Sequence, residues 1–509
     1  MSFIENLKEI LNDEKQYTEN GALGFRTTGK ELLDANFAVS SMRNWDEQQI
    51  IDKFVKVFYE NKLLAVKWLF YAADVREGIG ERRLFRVCLK YLAEQHKEIA
   101  KSVIHLVAEY TRWDNLMCIL DSELADDVVA TIRNQLDEDM KNMKENKPIS
   151  LLGKWMPSAN ASSKETKRLA RILISKLGIT ERQYRKLLSA IRSYLKVVEV
   201  SMSAKEWSAI NYAAVPSKAN LIYNNAFLRN DEERRRAYLE SLEKGETKIN
   251  AGILFPHDIV HKYCENNVRY SAKVSTSVDI TLEELWKALP DYCHGTGNTI
   301  CVADGSGSMT CTIGNTNVDC LQVANALAIY FSERSSGQFK DNYITFSSHP
   351  QLVDFSNAKN LREKIEIALR YNEVSDTNME ATFDLILNTA IKNKMSQEDL
   401  PQNILVLSDM EFNSAVCGQP DKTLFQNIAA KYARYGYKMP RMVFWNICSR
   451  TGTIPVKENE LGVALVSGFS PAIVKMVLSN STDPLECLLE QINSERYAPV
   501  EEAIKKVVA

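Results

Sequence analysis

The spacing of apolar residues changes near residue 290, and this change constrains the fold more than any other feature of the chain. Upstream, apolar residues recur three and four positions apart, as at Ile50, Phe54 and Phe58, which is the period of an amphipathic helix. Downstream of Gly297, short β-rich runs alternate with helical stretches. Because such alternation is typical of a parallel sheet covered by helices, the sequence predicts two parts with different architectures.

The upstream part, residues 1–290, is predicted to be an all-helical scaffold. Predicted helices cover residues 82–95, 98–110, 124–143, 164–176, 181–198 and 231–242. Capping boxes are predicted at Ser162 with Glu165, at Thr180 with Gln183, and at Ser203 with Glu206. Consecutive helices without strand alternation favour stacked pairs of the helical-repeat type, similar to HEAT repeats.

The downstream part, residues 297–509, is predicted to be a doubly wound, Rossmann-like α/β domain. Predicted strands cover residues 299–303, 342–346, 403–407, 442–447 and 463–466, and predicted helices cover 320–333, 358–369, 379–393, 424–435 and 471–478. In such sheets, ligands bind outside the carboxyl ends of the strands, where the strand order reverses. We therefore expect the first strand to lead into a binding site.

Composition limits the class of protein. The chain has 509 residues, 45% of them hydrophobic and 25% charged, with a net charge of -3, which is typical of a folded globular protein with several domains. Acidic residues at Glu5, Glu9 and Asp13 argue against a signal peptide, and the sequence lacks an apolar run long enough to span a membrane. The ten cysteines form no CxxC pair, which argues against a zinc finger or a disulfide lattice. We therefore expect a cytoplasmic protein.

A cluster of oxygen-bearing side chains follows the first predicted strand. The motif Asp304-Gly-Ser306-Gly-Ser308 alternates short polar residues with glycines, which allow the turn to fold tightly. Hydroxyl and carboxylate oxygens are suitable ligands for Mg²⁺, which tolerates few protein ligands and keeps several waters. The motif predicts a divalent-cation site, and the alternative is a turn whose serines cap the next helix.

This motif resembles the metal-ion-dependent adhesion site of von Willebrand factor A domains, in which DxSxS is followed by a distant Thr and a distant Asp. Thr377 and Asp409 match the two distant positions. The resemblance implies that Mg²⁺, or another divalent cation, is held by Asp304, Ser306, Ser308, Thr377 and Asp409. The family usually carries glycines before its Thr, whereas residues 374–376 of this chain read Val-Ser-Asp, which makes the loop bulkier and adds a carboxylate.

Further segments resemble the DUF2828 family of unknown activity. They are residues 74–82, 154–158, 248–252, 255–258, 407–412, 443–446 and 462–470. The layout of that family, a helical-repeat region followed by a von Willebrand A domain, is similar to the Ro autoantigen (TROVE) architecture, in which a helical ring binds RNA. This resemblance implies RNA as a partner.

Residues 164–196 offer an independent reason to consider RNA, because they carry ten basic residues against two acidic ones. Basic side chains on shared helix faces can line phosphates. The predicted RNA-binding residues are Lys164, Lys167, Arg168, Arg171, Arg182, Arg185, Lys186, Arg192 and Lys196. Tyr184 and Tyr194 are expected to stack on bases. The alternative is a solvated helix face without a ligand, and the cluster at residues 234–236 is expected to be neutralised by the acids that precede it.

Enzyme motifs are missing from the sequence, which contains no GxxxxGK[ST], GxSxG or HExxH. The sequence therefore predicts a non-enzymatic, Ro-like RNA-binding scaffold with a Mg²⁺-binding A domain. An alternative is a protein-interaction module whose metal captures a carboxylate of a protein partner. A third hypothesis, metal-assisted hydrolysis, requires a base, and Glu411 and Asp376 are the candidates. We expect the loop of residues 304–308 to be open to water.

Overall fold

The computed structural model divides the chain into two compact units. It describes residues 15–265, 273–293, 298–346, 349–372, 378–413, 424–456, 463–476 and 483–508. One unit, here called the sheet unit, combines Met1–Asp46 with Leu254–Ile492, and the other, the helical unit, combines Glu47–Ile253 with Asn493–Ala509. The predicted ranges, 1–290 and 297–509, are each one continuous stretch of sequence. Each compact unit instead combines two stretches that are separate in sequence.

The prediction that residues 1–290 are all-helical is wrong at both ends of that range, where the short strands Lys15–Tyr17, Leu23–Phe25, Cys264–Glu265 and Lys273–Val274 lie. The helical unit confirms a helical scaffold over Glu47–Ile253. Its α-helices are Glu47–Glu60, Lys62–Ala73, Arg82–Gln95, Lys97–Val103, Val107–Tyr110, Ala125–Lys144, Leu152–Trp155, Lys164–Leu177, Glu181–Tyr194, Val198–Ala204, Ser217–Asn230, Glu232–Glu243 and Ala498–Val508. Short 3-10 helices are Ile104–Leu106, Trp113–Ile119, Trp207–Ala209, Tyr212–Ala214 and Glu495–Tyr497. The HEAT-like regularity of these helices stays a prediction.

Two buried charges attach the C-terminal residues of the chain to the rest of the helical unit. Lys67, which is 1% exposed, forms an ion pair with Glu501. Asp74, which is fully buried, pairs with Arg496. Since each buried charge needs a partner, the C-terminal residues stabilise the helical unit rather than the sheet unit.

Helix capping matches the sequence prediction at one of three places. Thr180 and Gln183 form the predicted capping box. The preceding helix is capped by Ser163, whose hydroxyl accepts a hydrogen bond from the backbone of Thr166, so the prediction of Ser162 is wrong by one residue. Ser203 lies inside the helix Val198–Ala204 and donates to its own helical backbone, so the third box is wrong.

The described residues of the sheet unit form ten strands. They are β1 Lys15–Tyr17, β2 Leu23–Phe25, β3 Cys264–Glu265, β4 Lys273–Val274, β5 Thr299–Asp304, β6 Asn342–Phe346, β7 Leu352–Asp354, β8 Asn403–Ser408, β9 Arg441–Asn446 and β10 Val463–Ser467. Its α-helices are Glu31–Ala38, Pro256–Tyr263, Ile280–Lys287, Cys320–Arg334, Leu361–Arg370, Met379–Asn393, Leu424–Arg434 and Pro484–Ile492. Short 3-10 helices are Ser41–Arg43, Gly307–Thr310, Gly337–Phe339, Gln397–Asp399 and Pro471–Met476. The first two strands pair with each other, and Phe25 also forms an isolated bridge with Ile454, which explains why the N-terminal residues group with this unit.

The main sheet has six strands in the order β10-β9-β8-β5-β6-β7. Neighbouring strands are parallel except β7, which runs antiparallel to β6 at the edge. The predicted α/β alternation is therefore confirmed as a mixed sheet, although β7 and the helix Pro484–Ile492 were not predicted, and the predicted helix 471–478 is a 3-10 helix. No described helix has both the length and the apolar character required to cross a membrane.

The strand order places a crevice between β5 and β8. From β5 the chain builds β6 and β7 on one side, and it then crosses to build β8, β9 and β10 on the other. The order of strands therefore reverses between β5 and β8, whose carboxyl ends are Asp304 and Ser408. Ligands of open α/β sheets bind at such a reversal.

Candidate metal centre

Asp304 is fixed at the end of β5 by two hydrogen bonds. The strand is a continuous apolar run, Ile-Cys-Val-Ala, and is buried throughout, which brings Asp304 to only 1% exposure. Its Oδ1 accepts from the backbone N–H of Ser306 at 2.9 Å, and its Oδ2 accepts from the Ser408 hydroxyl at 2.6 Å. The carboxylate therefore connects the ends of β5 and β8 and closes the turn that follows β5.

The two serines of the motif bring their hydroxyl oxygens together, with Ser306 Oγ and Ser308 Oγ 2.8 Å apart. Ser306 precedes the 3-10 helix Gly307–Thr310 and makes no side-chain capping bond, which argues against the alternative that it acts as a helix cap. Ser306 is 2% exposed, whereas Ser308 is half-buried. The expectation of a fully open loop is therefore wrong for Asp304 and Ser306, because both are buried at the strand end, and solvent reaches the loop at Ser308.

Asp409 directly follows β8 and is fully buried. Its Oδ1 accepts from the backbone N–H of Glu411 at 3.3 Å, and the Arg450 guanidinium lies 3.6 Å from its Oδ2. Among the described residues, Oδ2 has no hydrogen-bond partner, although it is buried. A buried carboxylate oxygen without a hydrogen bond is costly, so a cation bound at this atom would stabilise it.

The electrostatics of the site also favour a cation. Burial raises the pKa of Asp304 to about 6. Burial, and then the charge of Asp304, raise the pKa of Asp409 well above its ordinary value, while the nearby Ser308 hydroxyl opposes that shift. Two buried carboxylates that disfavour each other's ionisation are both stabilised in the charged form by a divalent cation between them.

The residues present fit a hard cation such as Mg²⁺. Two carboxylates and two hydroxyls meet at the reversal of strand order, and oxygen is the ligand atom that Mg²⁺ prefers. Thr377, the fifth predicted ligand, lies outside the described residues. Sequence reasoning missed Ser408 and Arg450: Ser408 is adjacent to Asp409 in the sequence, but Arg450 follows β9, and the sequence gives no signal of its proximity.

Glu411 has a structural role rather than a catalytic one. It is fully buried and accepts hydrogen bonds from the backbone N–H groups of Arg450, Thr451 and Glu19 at 3.1, 2.9 and 3.0 Å. The hydroxyls of Ser449 and Thr451 donate to it as well. Since these donors use both of its oxygens, Glu411 is a poor candidate for the base that the hydrolase hypothesis requires, and Asp376, the other candidate, lies outside the described residues.

Two residues of the predicted RNA-binding surface point into the protein. The Arg192 guanidinium donates to the carbonyls of Gly153 and Met156 at 2.9 and 2.8 Å and to the Ser158 hydroxyl at 2.8 Å. Tyr184 is fully buried, and its hydroxyl donates to a backbone carbonyl. The predictions that Arg192 contacts phosphate and that Tyr184 stacks on bases are therefore wrong, because this helix face packs on the segment of residues 153–158.

Other basic residues of this surface are paired on the protein surface. Arg168 forms ion pairs of 2.7 Å with Asp121 and with Glu165. Lys176 pairs with Asp126 at 2.7 Å. Exposed pairs of this kind contribute little to stability, but they lower the positive potential that RNA would meet.

A smaller set of basic residues has no ion pair within the described part of the chain: Lys164, Lys167, Arg171, Arg182, Arg185, Lys186 and Lys196. Three of them, Arg182, Arg185 and Lys186, lie together with Glu181 and Ser189 on one exposed face of the helix Glu181–Tyr194. The predicted basic surface is therefore reduced to the exposed face of the helix Glu181–Tyr194 and its neighbours.

The arginine cluster at residues 234–236 is engaged within the protein, as predicted. Arg234 pairs with Asp231 at 2.7 Å, and Arg236 pairs with Glu232 at 2.8 Å. Arg235 is fully buried and donates to Asn220 and Asn224. None of these three side chains is available to bind a nucleic acid without breaking these contacts.

Comparisons with known proteins divide the chain at nearly the same place as the sequence pattern. The model of the domain of unknown function DUF2828 matches residues 122–298, and that of the domain of unknown function DUF7788 matches residues 298–507. The predicted DUF2828 resemblance is therefore confirmed for the first of these segments, and a different family model matches the second.

Individual relatives are similar along most of the chain. An uncharacterized protein of Acanthamoeba polyphaga mimivirus is 29% identical over 524 residues, covering 95% of this chain and 88% of that protein. The crystal structure of the Ro (RSR) protein of Deinococcus radiodurans is 14% identical with a TM-score of 0.39, covering 92% of this chain and 93% of the other. The chain is thus similar to two consecutive domain families of unknown function, DUF2828 over residues 122–298 and DUF7788 over residues 298–507.

Proposed function

We propose that this chain is a non-enzymatic binding protein whose sheet unit holds one divalent cation, Mg²⁺ in the cell, in a site of the von Willebrand A type. The buried Oδ2 atom of Asp409, which has no hydrogen-bond partner among the described residues, is the observation that carries this proposal. It lies at the strand end next to β5, where Asp304 and the two serine hydroxyls are also found. A cation there compensates the two buried carboxylates.

Each residue of the site has a distinct role in this proposal. The hydroxyls of Ser306 and Ser308 ligate the cation, while Asp304 and Asp409 supply negative charge, partly through bound water. The cation attracts an oxygen ligand from outside the protein. Because Ser308 is half-buried and the other three side chains are buried, the ligand approaches from the Ser308 side, and we propose that it is a carboxylate of a protein partner.

Calorimetric titration of the full chain with Mg²⁺ and Mn²⁺ tests the cation site. We expect one bound ion in the wild type and a loss of affinity of at least about a hundredfold in Asp304→Ala, because that variant removes one of two buried carboxylates. Asp354→Ala is the matched control, since Asp354 is an exposed carboxylate on the edge strand β7 of the same sheet. Equal affinity in the wild type and Asp304→Ala would remove the site from the proposal.

A short peptide that carries a single Glu or Asp, compared with its amide counterpart, tests the ligand class. Peptide binding that requires both Mg²⁺ and the carboxylate supports the proposal that the cation binds a carboxylate of a protein partner. Binding that persists after the cation is removed by a chelator contradicts it, because the metal would then have no role in recognition.

RNA is the second candidate ligand, and the exposed helix face that carries Arg182, Arg185 and Lys186 favours it. Side chains that neutralise phosphates release counterions, so the affinity of such a surface falls steeply with salt. Filter binding of single-stranded RNA at two salt concentrations measures this dependence. We expect the double variant Arg185→Glu with Lys186→Glu to lose more affinity than the matched double variant Arg168→Glu with Lys176→Glu, whose side chains are already ion-paired.

The outcome separates the two ligand classes. If the wild-type chain shows no salt-sensitive affinity for RNA, or if the two double variants lose equal affinity for RNA, the basic surface is only solvated. The carboxylate-binding proposal does not depend on this result, because it rests on residues of the sheet unit.

A further inference from the structure

Three cysteines of the sheet unit, far apart in sequence, bring their sulfur atoms together. The Sγ atoms of Cys311, Cys320 and Cys448 lie within 4.8 Å of one another. The Sγ atoms of Cys311 and Cys320 are 3.3 Å apart. Cys320 and Cys448 are buried, and Cys311 is half-buried. In the part of the chain that the structure describes, no other group of three His, Cys, Asp or Glu side chains places its ligand atoms so close together.

The backbone holds two of the three cysteines in place. The N–H of Cys320 donates to the carbonyl of Cys311 at 3.1 Å, and the N–H of Ile313 donates to that of Val318 at 3.0 Å. These two hydrogen bonds close the loop between Cys311 and Cys320 in the manner of a β-hairpin. Cys320 is also the first residue of a 15-residue helix that Asp319 caps, so two sulfur atoms are positioned by main-chain structure alone.

Asn44 ties the third cysteine to this loop. Its side-chain amide donates to Cys448 Sγ at 3.2 Å, and its Oδ1 accepts from the backbone N–H of Gly314 at 2.6 Å. Cys448 itself follows β9. A hydrogen bond from an amide to sulfur stabilises negative charge on that sulfur, and such outer-shell contacts orient the ligands of metal sites.

The sulfur spacing fits a metal ion better than a disulfide. Two Zn²⁺–S bonds of about 2.3 Å at a tetrahedral angle separate the sulfurs by roughly 3.8 Å. Here the Sγ atoms of Cys311 and Cys320 are 3.3 Å apart and all three sulfurs lie within 4.8 Å of one another, which is close to that separation. A disulfide between Cys311 and Cys320 would leave Cys448 and its Asn44 contact unused, whereas a metal ion uses all three sulfurs.

We propose that Cys311, Cys320 and Cys448 form a three-thiolate site for a thiophilic metal ion, and that this ion is Zn²⁺. Each thiol releases its proton to solvent as its sulfur binds the ion, so three protons leave when one Zn²⁺ binds. The fourth position of the ion remains for water or an external ligand, which the half-buried position of Cys311 allows. This soft-ligand site uses sulfur alone, so its ligand atoms are distinct from the oxygen atoms of the site proposed above.

Zn²⁺ binding by the reduced, metal-free full chain tests the proposal. The affinity is measured against a chromophoric chelator, and Co²⁺ is used as a spectroscopic probe because thiolate ligands give it intense charge-transfer bands. We expect one tightly bound ion, and a loss of at least about tenfold in affinity in each of Cys311→Ser, Cys320→Ser and Cys448→Ser. Cys118→Ser, a cysteine of the helical unit, is the matched control and should leave the affinity unchanged.

Alkylation of the wild type provides a test that does not depend on the folding of variants. Zn²⁺ should protect Cys311, Cys320 and Cys448 together from a thiol reagent, as read by mass spectrometry of the labelled peptides. Equal labelling with and without Zn²⁺ would overturn the proposal. It would also be overturned if Cys118→Ser lost as much affinity as the three site variants, or if the purified protein held a Cys311–Cys320 disulfide.

Discussion

The carboxyl edge of the sheet and the basic helices of the helical unit are both rich in charge, but their charges are used differently. At the sheet edge, Asp304 and Asp409 are buried, and one carboxylate oxygen has no hydrogen-bond partner in the described part of the chain. On the helices Lys164–Leu177 and Glu181–Tyr194, most basic side chains are exposed, and Arg192, which is not, bonds to the protein backbone.

This difference shows which charges indicate a ligand. A buried, uncompensated charge costs free energy, so the fold retains it only where something else compensates it. An exposed charge costs almost nothing and therefore says little about function. A high density of basic residues in the sequence is therefore weaker evidence for a ligand-binding site than two aspartates at the ends of adjacent strands.

The largest expected effect concerns Glu411, a buried carboxylate of the sheet edge whose oxygens the protein does satisfy. Glu411→Ala leaves several backbone N–H groups unpaired and should destabilise the sheet unit by about 3 kcal/mol. Denaturant unfolding measures this loss, and Glu398→Ala is a control at an exposed glutamate of the same unit. Equal stability of the two variants would contradict the structural role of Glu411.

The second expected effect concerns Arg192, the basic side chain that points inward. Arg192→Ala removes three hydrogen bonds and should destabilise the helical unit by about 2 kcal/mol. Arg185→Ala, on the exposed face of the same helix, should leave thermal stability unchanged. If Arg192→Ala and Arg185→Ala melt at the same temperature, the hydrogen bonds of Arg192 do not stabilise the helical unit and the prediction is wrong.

Asp409→Asn should act in the opposite direction to Glu411→Ala. The substitution removes a buried carboxylate whose charge is disfavoured by desolvation and by Asp304 and is only partly offset by Arg450 at 3.6 Å, so we expect the metal-free variant to gain about 1 kcal/mol of stability near pH 8. The same variant should gain nothing from Mg²⁺. Thermal melts with and without the cation measure both differences, and a marked loss of stability without metal would contradict the interpretation that a cation stabilises this carboxylate.

The smallest expected effect is a pH dependence of the metal-free protein. The pKa of Asp304 is about 6 in the fold and about 3.9 in an unfolded chain, so the folded state keeps a proton that the unfolded state loses. The stability that this proton provides is complete below about pH 4 and is lost as the pH rises through 6. Saturating Mg²⁺ should favour the ionised form and weaken or reverse this trend, and melts at several pH values test the difference. An identical pH trend with and without Mg²⁺ would contradict it.

Much of the sheet could be predicted from the sequence, because strand and helix positions depend on local patterns. The strand Asn342–Phe346 and the helix Met379–Asn393 have the predicted bounds, and Asp304 and Asp409 lie at the ends of adjacent strands as expected. The antiparallel strand β7 was missed because three residues carry too little periodicity to be recognised.

Contacts between distant residues could not be predicted. Arg192 was predicted to bind a ligand because its actual partners could not be recognised in the sequence. They are the carbonyls of Gly153 and Met156, in and just after the short helix Leu152–Trp155, and such main-chain atoms are present at every position. The cluster of Cys311, Cys320 and Cys448 was missed for a similar reason, since Cys448 lies more than a hundred residues from the other two along the chain. Spacing motifs detect only ligands that are close in sequence.

A crystal of the full chain grown with Mn²⁺ tests the cation site, since the anomalous scattering of Mn²⁺ locates the ion independently of any affinity measurement. We predict one strong anomalous peak within ligand distance of Ser306 and Ser308 and adjacent to the carboxylates of Asp304 and Asp409. An anomalous map with no peak at this strand end at saturating Mn²⁺, or with peaks only at exposed carboxylates such as Asp354, would contradict it.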